Sequence, residues 1–375
     1  MDYLFIYLFS IFLINLFFLI LTITNTLFLK KTSIFKKPVK TPFISVLIPA
    51  RNEEKNIIPC IESLLNQNYP DYEVIVLNDN STDGTEMILK RYEAYPNFRY
   101  YNGAELEYGW KGKTFASQQL LEYARGEICF FTDADTIHSP DTLSFLMGKM
   151  EEYDVDFLSG YAFHNSVTFG EKIIIPALYV MTVLFLPLFL VYSSRMPIFS
   201  FAIGQVIFAK KEVFDKIGGF EEIKNEVVED MALGRKVKEY GFKTIFIDAK
   251  NYISCRMYKN YLEGFMGIAR VIYPAISKSI FIFLGLVFSL FSLLEFPIIY
   301  LILNFNNPSV YNSLSIYSVF LFSIAWIISL YDRKQSVFSF VLYPFFFLNL
   351  ILIATYSVLK IGFGKGIKWK ERLVK

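Results

Sequence analysis

Three short stretches of the chain place carboxylates directly after runs that read as buried strands. Ile44–Ile48 leads into Pro49-Ala50-Arg51-Asn52-Glu53-Glu54, and Tyr72–Leu77 leads into Asn78-Asp79-Asn80-Ser81-Thr82-Asp83-Gly84. Glu127–Thr132 leads into Asp133-Ala134-Asp135, and further on Glu229-Asp230 opens a stretch of helical spacing that ends near Tyr240-Gly241. Carboxylates gathered at one edge repel one another, so the arrangement calls for a cation or a donor-rich ligand. Two aspartates one residue apart at a strand end suit a hard divalent cation, Mg2+ or Mn2+. Such an ion takes few protein oxygens and keeps substrate phosphates among its ligands, which points to a nucleotide diphosphate. Any chain holds such a pair by chance; its place after a buried strand, downstream of two other acidic strand ends, gives it weight. Several of these residues also have a structural reading. Asp83 suits the N-cap of a helix through Tyr92. Acids such as Glu229 and Asp230 are favoured at a helix start by the macrodipole. Lys113, just before the helical stretch to Ala124, could meet a diphosphate or equally stand solvated on the surface.

The elements that must position these groups alternate. Between the apolar runs, Asn52–Gln67 carries helical spacing with Ile57, Ile61, Leu64 and Leu65 on one face, Pro59 confining a regular start to the first turn. Strand–helix alternation predicts an α/β fold with a mostly parallel sheet and helices on both faces. In such sheets ligands bind beyond the carboxyl ends of the strands, where the acids stand. Gly218-Gly219 reads as a turn after a helix over Lys211–Ile217, and His138 and His164 read as hydrogen-bonded structural residues. The three cysteines have no CxxC spacing, which argues against a structural zinc site or a disulfide framework.

The rest of the chain belongs to a different solvent. Of 375 residues 54% are hydrophobic and only 19% charged, too few charges to coat an ordinary soluble protein of this size. A net charge of +2 gives no basis for nucleic acid as a partner. Tyr3–Leu29 contains no charged residue and exceeds the ~20 residues that span a bilayer; Lys30, Lys31, Lys36, Lys37 and Lys40 follow it. The positive-inside rule keeps that flank in the cytoplasm. Ser279–Phe305, Tyr311–Tyr331 and Ser336–Leu359 are further apolar stretches, followed by a basic tail. Three full late crossings would leave that tail outside, so the stretch with Glu295-Phe296-Pro297 is expected to be re-entrant or interfacial. Ile173–Ser194 is also uncharged, but a crossing there would separate Asp133 and Asp135 from Glu229 and Asp230. It is expected to lie on the cytoplasmic leaflet, broken by Pro176 and Pro187. The expected organisation is an anchor with its basic flank over 1–40, a catalytic domain over 41–275, and a membrane region with tail over 276–375.

Ser45–Glu53 (SVLIPARNE), Val76–Gly84 (VLNDNSTDG), Asp133–Asp135 and Glu229-Asp230, in this order, resemble the signature of the family 2 inverting glycosyltransferases with the GT-A fold. The resemblance covers about residues 41–275. Gly109–Lys113 (GWKGK), Gly204-Gln205, Gly218–Phe220, Arg256–Tyr258 and Ile367–Arg372 (IKWKER) further resemble a membrane-bound branch acting on carotenoid or hopanoid-type lipids. The resemblance implies that Pro49, Ala50, Asn52 and Glu53 line the nucleotide pocket and that Asp79 bonds the base, uracil being expected. It implies that Asp133 contacts the nucleotide-sugar, that Asp135 ligates a divalent metal, and that Asp230, with Glu229 beside it, is the catalytic base. The QxxRW-type motif of processive members is missing between 240 and 275, which implies transfer of a single sugar.

The expected protein is a multi-pass enzyme of the cell membrane with its catalytic domain in the cytoplasm, moving a sugar from a nucleotide-sugar to a lipid acceptor. A polyprenyl-phosphate or glycan-precursor acceptor, and a non-enzymatic scaffold retaining the fold, are the alternatives.

Overall fold

The computed structural model describes residues 2–335, 343–369 and 372–374. It divides into two compact units. One comprises Leu29–Asn165 and Leu188–Met257; the other comprises Met1–Phe28, Ser166–Pro187 and Tyr258–Lys375.

The first unit is built on a seven-stranded mixed sheet. Its strands are β1 (Ile44–Ala50), β2 (Tyr72–Asn78), β3 (Phe98–Asn102), β4 (Ile128–Phe131), β5 (Phe157–Tyr161), β6 (Ile207–Lys210) and β7 (Thr244–Asp248). They lie in the order β3-β2-β1-β4-β6-β5-β7. β1 pairs in parallel with β2 and β4, and β2 with β3, so these four strands end at one edge. β6 runs antiparallel to both β4 and β5. β1 and β4 are almost wholly buried, as continuous apolar runs require when both faces are covered. The helix Gly112–Tyr123 and the helices Lys211–Ile217 and Glu229–Glu239 cover one face through a core of Leu47, Leu120, Phe131, Phe214 and Leu233.

The three expected strands form as β1, β2 and β4, and four further strands of the sheet, β3, β5, β6 and β7, were not expected. β3 lies at the sheet's edge with intermediate burial, so its Phe98-Arg99-Tyr100-Tyr101 pattern lacks the apolar run that marks its neighbours. The helix expected from Asn52 begins at Ile57, because Asn52 is left-handed at φ 53° and the chain turns there before it can coil. The helix after β2 is Thr85–Lys90, shorter than expected, and Asp83 acts at its start by accepting from Thr85 N (3.0 Å) and Glu54 N (3.1 Å). Gly218 and Gly219 form the expected turn, both at positive φ. His138 and His164 are buried and hydrogen-bonded, to Thr136 Oγ1 at 2.8 Å and Gln205 Oε1 at 2.9 Å.

A buried carboxylate ties the opposite ends of β1 to β4 together. Glu73, 2% exposed, accepts from Ser45 Oγ at 2.6 Å, from Arg125 N, Nε and Nη2 at 3.0, 3.0 and 2.8 Å, and from Arg99. A charge this deep is held only because every lone pair finds a donor.

The second unit contains apolar helices. Among the described residues four helices are long and apolar enough to cross a membrane: Tyr3–Thr32, Ile280–Leu303, Val310–Asp332 and Tyr343–Gly362. Large side chains such as Phe281, Phe288 and Phe320 are exposed along them, as contact with lipid would require. The stretch around Glu295-Phe296-Pro297, expected to be re-entrant or interfacial, is helical. It lies within one helix of 24 residues, where a π-helical turn at Phe291–Glu295 widens the backbone ahead of Pro297. Ile173–Ser194 does break at its prolines, into Phe169–Ile174, Pro176–Phe185 and Phe189–Ser193, and none of these pieces has crossing length. The apolar stretch expected from Ser336 lies outside the described residues over 336–342, as do Lys370, Glu371 and Lys375 of the tail.

Candidate active site

The carboxyl ends of β1 and β4 and the start of the helix Glu229–Glu239 border a small open cleft lined by Pro49, Lys113, Asp133, Gly204, Phe220 and Glu229 among others. Parallel register brings the two strand ends there: Leu47 of β1 lies opposite Phe131 of β4, so Pro49 and Asp133 leave the sheet side by side.

The cation that clustered acids demand is present in the chain itself. Lys113 opens the helix Gly112–Tyr123, and its Nζ lies 2.7 Å from Asp133 Oδ1 and 3.2 Å from Glu229 Oε1. Its side chain is 40% exposed, so the two contacts are open to solvent on one side. Burial pulls the Lys113 ammonium down, but the charges of Asp133 and Glu229 outweigh it and hold the group protonated. Gly204 makes this approach possible, since a Cβ there would stand 2.7 Å from Lys113 Nζ.

Asp230 is fixed from two sides. Its Oδ2 accepts from Gly204 N and its Oδ1 from Met231 N, both at 2.8 Å. Burial and then the neighbouring Glu229 carboxylate push its pKa up to about 6, against Lys113 and the two amides, which favour the charged form. A carboxylate that titrates just below neutrality and is aimed by backbone donors is suited to accept a proton.

The other expected residues stand at the same sheet edge but on the β1–β2 side of the cleft. Glu53 and Asp79 are buried, at 7% and 6% exposure. Glu53 Oε2 accepts from Asn56 Nδ2 at 2.8 Å, while Asp79 N donates to Ala50 O at 2.8 Å and locks the two strand ends together. Asn52 Oδ1 accepts from Thr82 N at 2.8 Å, so the loops after β1 and β2 form one surface. Asp135 stands two residues beyond the cleft-lining Asp133, partly buried, with its charge felt by the buried thiols of Cys60 and Cys255. Among the described residues no three His, Cys, Asp or Glu side chains converge on one point as a metal cage would need.

Residues 45–218 match the family model described as glycosyl transferase family 2. This stretch is a family 2 glycosyltransferase domain. Its mixed sheet is of the GT-A type. The chain is 28% identical over 228 residues to 4,4'-diaponeurosporenoate glycosyltransferase of Staphylococcus aureus (strain MRSA252), covering 60% of this chain and 58% of that protein. It thus spans less than two thirds of the length of the curated relatives it matches. Among solved structures it is similar to a mannosyltransferase from Pyrobaculum calidifontis in complex with GDP-Man and Mn2+, with a TM-score of 0.48, 17% identity and coverage of 93% and 95% of the two chains. It is also similar to Staphylococcus aureus TarS 1–349 in complex with UDP-GlcNAc, with a TM-score of 0.42, 17% identity and coverage of 84% and 90%.

Of the residues expected from sequence, the glycosyltransferase domain and the helix Glu229–Glu239 that follows it bring Pro49, Lys113, Asp133, Glu229 and Asp230 together around the cleft. Ala50, Asn52, Glu53 and Asp79 form the adjoining wall, and Asp135 follows Asp133. Two contributors escaped sequence reasoning. Gly204 both donates to Asp230 and makes room for Lys113, and its only signal was its place in the Gly204-Gln205 pair. Arg51 donates through Nη1 to Asp79 O (2.7 Å) and Asn80 O (3.0 Å), splinting the two loops; an arginine set between pocket residues was its signal.

Proposed function

We propose that this protein is a membrane-bound, non-processive inverting glycosyltransferase that moves a sugar from a nucleotide-sugar, a UDP-sugar by preference, to a lipid acceptor at the cytoplasmic face. The observation that carries this reading is Asp230, held by two backbone amides beside a cleft whose acids Asp133 and Glu229 are bridged by Lys113. The similarity to a relative named for 4,4'-diaponeurosporenoate, together with four apolar helices of crossing length, supports a lipid acceptor and a location in the cell membrane.

Inverting transfer is a single in-line displacement, so it needs one base and charge stabilisation of the leaving nucleoside diphosphate, and no protein nucleophile. Asp230 takes the proton from the acceptor hydroxyl as its oxygen attacks the anomeric carbon. Glu229 keeps Asp230 basic by like-charge repulsion. When the donor enters, Lys113 exchanges part of its contact with Asp133 and Glu229 for phosphate oxygens, and Asp133 orients the sugar. Pro49, Ala50, Asn52, Glu53 and Asp79 line the nucleoside end. A divalent cation, Mg2+ or Mn2+, held by Asp135 and the donor, would neutralise charge building on the diphosphate.

Purified full-length protein in lipid, given labelled UDP-sugar and a membrane lipid extract, tests the reading by product partition and mass. Wild-type transfer into the lipid fraction, lost in Asp135→Ala and Asp230→Ala, supports it. Equal binding and turnover in those variants would remove the site assignment. Products confined to polyprenyl phosphate would move the acceptor to the alternative class.

A further inference from the structure

The membrane unit carries a cation–aromatic stack that sugar transfer leaves unexplained. The Arg270 guanidinium lies 4.5 Å from the centre of the Trp369 ring, and Tyr258 meets the same ring edge-on at 6.4 Å. The stack is built into the helix Tyr261–Ala275. Gly267 lies one turn before Arg270, and a Cβ there would stand 2.4 Å from Tyr258 Cε1, so only glycine lets the Tyr258 ring lie across the helix. Tyr258 is 4% exposed and forms the floor, Trp369 stands on it, and Arg270 is held against the Trp369 face.

Among the described residues Arg270 has no carboxylate partner. Its Nε is buried without a hydrogen-bond partner, and among the described residues no ion pair or hydrogen bond reaches its guanidinium. A guanidinium 4.5 Å from an indole centre keeps a fork of N–H donors of the kind that takes two oxygens of one anion.

The depth of the stack is set by its neighbours. Ser357 Oγ donates to Ala269 O and accepts from Tyr273 N at 3.2 Å, which pins this part of the helix to the last turns of the apolar helix Tyr343–Gly362. Arg270 therefore stands level with the end of a helix of crossing length, where a bilayer's headgroups begin. Lys360, Lys365 and Lys368 follow that end, and Trp369 pairs with Arg372 in a hairpin of Ile367–Trp369 with Arg372–Val374. An aromatic-backed arginine among lysines at headgroup depth matches an anionic lipid in charge and position.

We propose that Arg270, stacked on Trp369, is a binding site for a phosphate or carboxylate group carried by an anionic lipid headgroup. The test of this site reads binding, not turnover.

The probes are phosphatidylglycerol, phosphatidylcholine and inorganic phosphate, added to full-length protein in detergent and followed by native mass spectrometry of lipid adducts. Wild type should retain phosphatidylglycerol over phosphatidylcholine. Arg270→Gln should weaken phosphatidylglycerol retention at least about tenfold, as loss of a charge-assisted bidentate contact implies. Arg270→Lys should lose several-fold despite its charge, and Trp369→Leu should do so with the arginine intact. Lys365→Gln, a tail charge outside the stack, should lose about threefold or less. If Arg270→Gln fails to fold, the Arg270→Lys and Trp369→Leu comparisons carry the test. Displacement of the lipid by millimolar inorganic phosphate would support the anion site and assign it to soluble anions. Undiminished phosphatidylglycerol retention in both Arg270→Lys and Trp369→Leu would overturn the proposal.

Discussion

Replacing Lys113 with methionine should move the acid limb of the pH–rate profile upward. The position a Gly204 Cβ would occupy is 2.7 Å from Lys113 Nζ and 3.7 Å from Asp230 Oδ2. The ammonium and the carboxylate oxygen thus lie within about 6.4 Å of each other, where unit charges interact by about 2.6 kcal/mol at an effective dielectric of ~20. Lys113 is 40% exposed, and solvent screening reduces this to about 1 kcal/mol. Since 1.36 kcal/mol is one pKa unit, the Asp230 value should rise by somewhat under about one unit. Asp230 must be ionised to accept a proton, so kcat/KM climbs with pH through its pKa, about 6 in the wild type. Because Glu229 shares the site, the limb reports the pair and not one residue. The assay is kcat/KM for the donor from pH 5 to 8 in wild type, Lys113→Met and Lys113→Arg. Lys113→Met should shift the limb upward and lower the plateau, and Lys113→Arg should leave the limb in place. A limb that stays fixed or moves to lower pH in Lys113→Met would refute the electrostatic reasoning.

Other consequences are as direct. Asp230→Asn should cut turnover by about 10²–10⁴. It should also flatten the stability profile. The folded pKa is raised from 3.8 to about 6, so Asp230's stabilising protonation is complete below pH 4 and lost as pH rises through 6. Thermal midpoints between pH 4 and 6 should accordingly fall less in the variant. Gly204→Ala places a methyl against the flexible end of Lys113, so it should cost under about 1 kcal/mol of stability by thermal unfolding while lowering kcat/KM at least about tenfold. Glu73→Gln breaks the buried anchor at the far end of the strands, with one arginine 63% exposed; it should cost about 2 kcal/mol in thermal stability and leave the donor KM unchanged.

How far the site could be read in advance follows from what local patterns encode. β1, β2 and β4 were legible because strands buried on both faces must be apolar throughout, and the acids at their ends were legible because nothing apolar explains them. β3 was not, since an edge strand tolerates Arg99 and its tyrosines, and the apolar signal falls away. The pairing of Lys113 with Asp133 and Glu229 joins positions far apart in the chain, so spacing could show that a cation was needed but not which one met the need. Gly204 illustrates the same limit, because its contribution is an absent side chain, visible only once Lys113 and Asp230 approach it. The continuity of the helix through Pro297 was not legible because a proline ordinarily breaks a helix, and a π-helical turn that absorbs it leaves no mark in the composition. Trp369 lies about a hundred residues from Arg270, and only the fold brings an arginine and a tryptophan into one stack.

The central claim, that the cleft at the strand ends transfers a sugar to a lipid through Asp230, is tested most directly by the lipids themselves. Membranes from one host, with the gene deleted and then restored as wild type or as Asp230→Asn, can be extracted and compared by mass spectrometry at matched protein levels. A lipid heavier by one sugar residue should appear with the wild type and be absent from both the deletion and the Asp230→Asn strain. The same glycolipid at the same level with Asp230→Asn would contradict it.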